Sequence, residues 1–325
     1  MLRAVQLIAL FESFNAWTGL FYYLGALVNT TDDGDIVYKY IEACVKLDQR
    51  VECVRVCQEN NYFDPKAVKD FLIKVNFKDP RALIHVCDRF GFIDELTRHL
   101  YGQGQTQVID IYLTKMNPGA TPSVVGALLD LNSAEDYIGT LINSVPAPHA
   151  DPSLPQGPHC PIGELVAAVE QRNRLTMLHP WLEARLHEKN QDPELHNALA
   201  KIYVDINFNA AHFLSNNPYY DSKVVGKYCE SRDPHLAFLA YKRANGSCDP
   251  ELIHITNVHG FFKDQARYLV ERQNGDLWDT VLLETNEFRR QLIDQVIFDV
   301  FDVFDVFDVF DVFDVFDVFD VSPID

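Results

Sequence analysis

The chain has 325 residues, of which 47% are hydrophobic and 23% charged, a composition that allows a large buried core and excludes a disordered polypeptide. The formal net charge is −19, and eight of the negative charges lie in the segment 298–321. Such an acidic chain is not expected to bind nucleic acid or anionic lipid through bulk electrostatic attraction.

Signals for α-helices recur along the whole chain, whereas signals for β-strands do not. The most regular is an Asp-Pro dipeptide ahead of an apolar stretch with helical spacing. Aspartate at the N-cap accepts a hydrogen bond from the first turn, and proline fits the first helical position, where its missing N–H has no partner to lose. Five helix starts of one kind are therefore predicted, at Asp64-Pro65, Asp79-Pro80, Asp192-Pro193, Asp233-Pro234 and Asp249-Pro250.

Apolar spacing and caps predict short helices in chain order. Ser133 begins a predicted capping box with an apolar stripe at 137–145. The connections are short, so neighbouring helices should be antiparallel, and one hairpin takes roughly 25–30 residues. The predicted fold class is all-α, an α-solenoid of stacked antiparallel helical hairpins. Further helices are predicted at 35–47, 92–101, 106–114, 123–131, 163–172, 175–188, 193–204, 222–230, 265–271, 277–284 and 288–296.

Two segments interrupt the helical pattern. Residues 145–161 include six prolines and predict an extended loop. This loop is assigned to residues 147–161, and it divides the chain into two halves. Residues 298–321 are eight copies of Phe-Asp-Val, a period of three that matches neither helix nor strand. We interpret the tail 298–325 as a low-complexity, non-native tract; the alternative is a helix extension imposed by its neighbours.

Cysteine and histidine residues in two places have spacings that could hold a metal ion. Cys53 and Cys57 lie four residues apart on a predicted helix, but no second pair at a matching interval completes a site, so core packing is the better interpretation. His149, His159 and Cys160 fall in the proline-rich loop, which gives ligands no fixed frame. The sequence therefore predicts no metal site and no cofactor.

No sequence motif of a common catalytic class is present, and no catalytic residue is predicted. The seven cysteines have irregular spacing and indicate buried free thiols in a reducing cytosol. Asn29-Thr30-Thr31 and Asn245-Gly246-Ser247 match the glycosylation pattern by chance. The remaining conspicuous residues are interpreted as helix-end charges (Arg172, Arg174, Arg289 and Arg290), as a turn (Gly102 and Gly104) or as aromatic packing (Trp181, Tyr219 and Tyr220).

Neither a signal peptide nor a membrane span is predicted. The first apolar run is interrupted by Arg3 and Gln6 and is followed by Glu12, with no small-residue cleavage site. The apolar stretch 20–28 is far shorter than a bilayer requires.

Long collinear strings of the chain resemble the clathrin heavy chain family. The resemblance runs almost continuously over residues 4–297, and it is specific because it does not depend on one short motif. The strings include LFYYLGALVN (20–29), VCDRFGFIDELTRHLY (86–101), SVVGALLDLNSAED (123–136), ELVAAVEQRNRL (164–175) and NPYYDSKVVGKYCESRDPHLA (217–237).

The resemblance implies clathrin heavy chain repeats, most of one at 1–146 and a second at 162–297. It implies a structural role as a segment of the triskelion leg in the clathrin coat, in vesicle-mediated intracellular protein transport and endocytosis. The expected location is cytoplasmic and peripheral on coated pits and coated vesicles. The expected partners are other heavy-chain legs in the lattice; no residues match the family's light-chain, adaptor-peptide or trimerisation regions.

Two other classes stay open at this point. A helical subunit of a vacuolar sorting or tethering complex is the first alternative, because such proteins use related repeats. An enzyme on a helical scaffold is the second, although it would need convergent ionisable groups that the sequence does not offer. Neither nucleic acid nor direct membrane insertion is expected.

Overall fold

The computed structural model of the chain describes residues 4–146 and 159–295, which contain helices and no β-strand. The predicted segment 147–161 therefore lies mostly outside the described residues, and the tail 298–325 lies entirely outside them. The described residues fall into two compact units, one up to Trp181 and one from Leu182 onward. The predicted repeat boundaries at 146 and 162 stay a prediction.

The first unit contains eleven α-helices among its described residues, and each packs mainly against helices close to it in the chain. Helix α2 packs on α3, α3 on α4, α4 on α6, α6 on α7, α7 on α9, and α9 on α11. The helices are α1 (Ala4–Ser13), α2 (Trp17–Gly25), α3 (Gly34–Lys46), α4 (Arg50–Glu59), α5 (Pro65–Val75), α6 (Pro80–Phe90), α7 (Ile93–Gly102), α8 (Thr106–Ile111), α9 (Thr121–Asp130), α10 (Glu135–Ser144) and α11 (Ile162–Glu170).

The second unit repeats this arrangement. Helix α13 packs on α14 and α15, α14 on α16, α15 on α16, α16 on α17, and α17 on α18. Helix α12 (His179–His187) spans the division between the units. The others are α13 (Pro193–Asp205), α14 (Ala210–Asn216), α15 (Ser222–Glu230), α16 (Pro234–Arg243), α17 (Asp249–His259), α18 (Phe262–Arg272) and α19 (Gly275–Val281), and residues 289–295 are also helical.

This succession of short helices confirms the predicted all-α class with stacked hairpins. The core of each unit consists of apolar side chains from consecutive helices. Examples that are no more than 1% exposed are Ile41, Leu72 and Leu128 in the first unit and Leu199 and Leu252 in the second. Burial of such side chains stabilises the fold by about 1.5–3 kcal/mol each. Every helix in the described part of the chain is too short or too polar to span a membrane.

Four of the five predicted Asp-Pro helix starts are confirmed. Asp64, Asp79, Asp192 and Asp233 are N-caps, and each carboxylate accepts the backbone N–H two residues later at 2.9–3.0 Å. In each case the proline is the first helical residue. The Asp-Pro signal therefore works through the capping geometry from which it was predicted.

The fifth prediction is wrong in its capping detail. Asp249 is the first residue of α17, and Cys248 takes the N-cap position. The Asp249 side chain is buried and accepts a hydrogen bond from the Tyr268 hydroxyl of α18, with the Arg272 guanidinium 3.7 Å away. Leaving a buried carboxylate without hydrogen-bond partners costs more free energy than leaving a helix start without a side-chain cap.

The predicted capping box is also wrong. Ala134 is the N-cap of α10, and the Ser133 hydroxyl makes no hydrogen bond to any described residue. Two predicted helices, 106–114 and 175–188, are each divided in the structure. Helix α8 continues as a π-helical turn (Tyr112–Met116), and a 3₁₀ turn (Leu175–Leu178) precedes α12. Pro180 follows this turn and fits the start of α12, where a missing N–H costs nothing.

Candidate functional site: contacts that join successive hairpins

One arginine in the first unit joins the end of one hairpin to the next. Arg89 lies in the last turn of α6, and its Nη1 donates to the carbonyl oxygens of Cys57, Gln58 and Asn60 at 2.8, 2.9 and 3.0 Å. Nη2 donates to the side chain of Asn61. The acceptors are the orphan carbonyls at the end of α4 and in the loop that follows, so the guanidinium neutralises the negative end of that helix.

An arginine in the second unit makes the corresponding contact. Arg243 lies in the last turn of α16; its Nη1 donates to the Asn217 carbonyl at 3.1 Å and its Nε to the Ser222 hydroxyl at 3.2 Å. Nη2 donates to the carbonyl of Tyr220, and the guanidinium stacks 3.8 Å from the centre of that tyrosine ring. The combination of cation–π stacking with several donors is one that lysine cannot reproduce.

The two loops that these arginines hold have the same internal structure. Residues 60–64 read NNYFD and residues 217–221 read NPYYD. Asn60 and Asn217 each accept, on Oδ1, the backbone N–H two residues later at 2.8 and 2.9 Å. Asp64 and Asp221 each cap the next helix. We call this pairing of an arginine with an asparagine loop the arginine clamp: Arg89 with 60–64, and Arg243 with 217–221.

Sequence reasoning did not predict the arginine clamp, although a signal for it exists. Arg89 follows the capping Asp79 by ten residues, and Arg243 follows the capping Asp233 by the same interval. A helix that begins with Asp-Pro and carries arginine in its last turn therefore marks the clamp in both units. The asparagine loop lies just before the preceding capped helix in each case.

Carboxylates receive tyrosine hydroxyls at other junctions. In the first unit, Asp88 accepts the Tyr112 hydroxyl and the Asn117 amide, both at 2.6 Å. In the second unit, Asp205 accepts the Tyr228 hydroxyl at 2.7 Å and the Arg232 Nε at 2.9 Å. Each of these hydrogen bonds has a carboxyl acceptor and joins residues more than twenty positions apart, so each stabilises packing between hairpins.

Glycine at one position lets two helices approach closely. A Cβ at Gly226 of α15 would overlap the ring of Tyr241 on α16. Tyr241 is 1% exposed, and its hydroxyl donates to Glu230 at 2.6 Å, so the ring is fixed at both ends. Burial and this hydrogen bond raise the pKa of Tyr241, which keeps the phenol protonated as a donor.

Some of the arginines singled out in the sequence have more partners than predicted. Arg172 donates from Nε and Nη2 to the two carboxylate oxygens of Asp130 at 2.7 and 2.8 Å, a bidentate pair that joins the turn after α11 to the end of α9. Its Nη1 also donates to the Ala168 carbonyl at 2.8 Å, which agrees with the predicted placement at a helix end. Arg174 pairs with Glu135 at 2.7 Å.

The candidate cysteines are core residues. Cys53 and Cys57 are fully buried in the core beside Cys44, and Cys160 is 1% exposed. A hydrogen bond that the Cys57 thiol donates to Cys53, together with burial, raises the pKa of Cys57, and burial raises that of Cys160 to about 12. In the ranges 4–146 and 159–295, no group of three or more His, Cys, Asp or Glu residues could hold a metal ion. His149 lies outside the described residues.

The aromatic candidates are packing residues. Trp181 and Tyr220 are 3% and 2% exposed, in agreement with the prediction. Tyr219 is 40% exposed, and its ring lies 5.0 Å from that of His196. Tyr219 is therefore not a core residue, and its ring contacts a histidine that sequence analysis did not single out.

His196 joins three segments of the second unit. Its Nε2 lies 2.8 Å from the Asn190 carbonyl oxygen, which can only accept, so Nε2 carries the proton. Nδ1 then accepts from the Asn217 side-chain amide at 2.9 Å. The Asn217 amide cannot reverse, because its Oδ1 already accepts the Tyr219 N–H. Only the neutral form of the His196 imidazole makes both hydrogen bonds.

We expect the second unit to lose stability as the pH falls. Burial lowers the pKa of His196 below its ordinary value of 6.5, with partial opposition from the Asn190 hydrogen bond and the Asp192 charge. The unfolded chain therefore takes up the proton first, and the free energy of unfolding declines once the pH is below about 6.5. Amide hydrogen exchange of residues 193–221, measured under denaturant at neutral and at mildly acidic pH, tests this. The variant His196→Gln, which offers one donor and one acceptor and does not titrate, should lose this pH dependence; an unchanged dependence would contradict the assignment.

Comparisons with known proteins agree with the resemblance predicted from the sequence. Residues 1–136 and 157–293 match the sequence profile of the Clathrin family, described as a region in clathrin and VPS. The chain is 52% identical over 291 residues to a clathrin heavy chain of Dictyostelium discoideum and 51% identical over 290 residues to clathrin heavy chain 1 of Arabidopsis thaliana. It is 48% identical over 291 residues to clathrin heavy chain 2 of Homo sapiens.

These matches cover 89–90% of this chain but only 16–17% of each relative, so the chain spans about a sixth of the length of the curated relatives. Both arginine clamps lie inside the matched residues, as do all seven cysteines. A match over most of the chain, together with the stacked helical hairpins, shows that the chain belongs to the Clathrin family.

Proposed function

We propose that this chain is a structural segment of a clathrin coat, part of a triskelion leg that serves vesicle-mediated intracellular protein transport and endocytosis. The observation that carries the proposal is the identity of 48–52% to clathrin heavy chains over about nine-tenths of the chain. The proposed location is cytoplasmic, on the periphery of coated pits and coated vesicles. The proposed partners are the legs of other heavy chains in the lattice.

The arginine clamps support a mechanical role. Each one fixes the last turn of a capped helix to the loop before the preceding capped helix, which stiffens the unit locally without creating a reactive group. The recurrence of one clamp in each unit also supports two repeats, at 1–146 and 162–297. Under this proposal the chain has no catalytic activity, and it binds neither cofactor nor nucleic acid.

The vacuolar sorting alternative shares the family region, because the family description names both clathrin and VPS. The high identity to clathrin heavy chains favours the coat role. A tethering subunit would need only the helical architecture and would not need the long identical strings.

Co-assembly with intact clathrin tests the proposal. Purified chain is mixed with full-length heavy chain under coat-forming conditions, and the pellet is quantified after sedimentation. We expect the chain to enter coats in a saturable way while forming no cages alone. The control is the chain with both Arg89→Met and Arg243→Met, which should enter coats less well. Absence of the chain from the pellet would contradict the coat role, and cages built by the chain alone would contradict its role as a mere segment.

A thermal-stability screen separates the scaffold from an enzyme. We expect no nucleotide or divalent metal to raise the melting temperature, because only a ligand that binds the folded state stabilises it. A concentration-dependent rise with one compound would contradict a purely structural role.

A further inference from the structure

The connection between α16 and α17 contains an Asn-Gly dipeptide in an unusual setting. Asn245 is exposed and has a φ of 49°, and Gly246 has a φ of 115°, a conformation that favours glycine. The Gly246 N–H makes no hydrogen bond to any residue that the structure describes. The nitrogen that follows the asparagine therefore belongs to a residue without a side chain of its own and is not held by an acceptor among the described residues.

A cation lies on the side-chain amide of this asparagine. Arg272, in the last turn of α18, donates from Nη1 to the Asn245 Oδ1 at 3.1 Å. The same guanidinium packs so closely on Gly246 that a Cβ there would overlap it. The hydrogen bond polarises the amide carbonyl and would stabilise negative charge that develops on its oxygen.

We propose that Asn245 is a self-modification site, at which the chain converts asparagine into aspartate and isoaspartate with assistance from Arg272. The Gly246 nitrogen attacks Cγ of Asn245 and loses its proton, and the carbonyl electrons move onto Oδ1 beside the guanidinium. The bond from Cγ to the amide nitrogen then breaks, and ammonia leaves with the proton. Water hydrolyses the resulting cyclic imide at either carbonyl, so no oxidant or reductant is needed.

The chain contains a second Asn-Gly dipeptide that serves as an internal reference. Asn274 is the N-cap of α19, and its side chain accepts the Asp276 N–H at 3.0 Å. Gly275 is the first residue of that helix, so its backbone is held in helical geometry. Cyclisation there requires loss of the cap and opening of the first turn, which adds to the barrier.

The product at Asn245 suits its surroundings. A new carboxylate would lie beside the Arg272 guanidinium, which already approaches the Asp249 carboxylate at 3.7 Å. The isoaspartate form also inserts one carbon into the backbone between α16 and α17. Modification therefore alters a connection within the second unit without burying an unpaired charge.

Peptide mapping of the intact folded chain tests the proposal. Trypsin cleavage at Arg243, Lys263 and Arg272 places the two asparagines in different peptides, so both rates come from one incubation in mildly alkaline buffer. We expect Asn245 to be converted at least about tenfold faster than Asn274, and Arg272→Gln to slow Asn245 by roughly tenfold while Asn274 keeps its rate. In concentrated urea the two rates should become similar, because the unfolded chain has no tertiary contacts and the rates then depend only on the neighbouring residues in the sequence.

Two results would overturn the proposal. One is conversion of Asn274 as fast as that of Asn245 in the folded chain. The other is an unchanged or increased rate at Asn245 in Arg272→Gln. The variant Arg272→Lys, which keeps a cationic donor, should restore part of the rate, and circular dichroism of each variant verifies that the helices remain. Asn274→Ser, which keeps the cap, should leave the rate at Asn245 unaltered.

Discussion

Replacement of Arg243 by methionine should lower the free energy of unfolding of the second unit by about 3 kcal/mol. The change keeps a long apolar stem but removes the donors to the Asn217 and Tyr220 carbonyls and to the Ser222 hydroxyl. Those carbonyls would then face a partly dry surface without a partner. Amide hydrogen exchange under increasing denaturant, read in peptides from α14 to α16, measures the loss.

A neighbouring cation gives the matched control. Lys242 precedes Arg243 on α16 and pairs with Glu271 at 2.6 Å, but the two side chains are 37% and 56% exposed. Lys242→Met should cost no more than about 1 kcal/mol, as exposed ion pairs usually do. Arg243→Lys should lie between the two, since lysine cannot reach all three acceptors. Equal losses for Arg243→Met and Lys242→Met would show that the arginine clamp adds nothing specific.

Alanine at Gly226 should destabilise the second unit by about 1–3 kcal/mol, although alanine normally favours a helix over glycine. The added methyl overlaps the Tyr241 ring, which cannot withdraw because it is buried and bound to Glu230. The interface between α15 and α16 must therefore open. Chemical denaturation of the full chain, with hydrogen exchange to locate the change, gives the measurement.

The same substitution elsewhere in the chain should have the opposite sign. Gly139 lies within α10, and a Cβ there would meet nothing within 4 Å. Gly139→Ala should stabilise the first unit by up to about 1 kcal/mol, because it removes backbone freedom from the unfolded chain. If both alanine variants changed stability in the same direction, the close approach at Gly226 would not be the cause.

The fold was predictable from the sequence because local signals and tertiary packing agree. Asp64, Asp79, Asp192 and Asp233 cap helices as their Asp-Pro dipeptides predict. The exceptions are places where a tertiary contact outweighs a local preference. The Asp249 carboxylate is buried against Tyr268 and does not cap α17. This outcome depends on a residue nineteen positions later in the chain.

The candidate site was much less predictable. Arg89 and Arg243 are ordinary helix-end arginines in the sequence, and most of their acceptors are backbone carbonyls, which carry no residue-specific signal. The ten-residue interval from the capping aspartate to the arginine is a sequence signal, but its meaning became clear only when the two loops were compared in the structure. Gly226 is similar, since its importance lies in the position of the Tyr241 ring and not in any turn or positive φ.

The chemistry of the arginine clamp determines which conditions can loosen it. A guanidinium stays charged at any pH that a cell reaches, and a carbonyl oxygen has no proton to gain. Dissolved salt screens exposed charge pairs but acts weakly on short hydrogen bonds to neutral acceptors. The hydrogen bonds of Arg89 and Arg243 should therefore be equally stable at acidic and neutral pH, and at low and high salt concentration. Acidity can still reach the clamp at Arg243 through the neighbouring imidazole at position 196, which shares Asn217 with it.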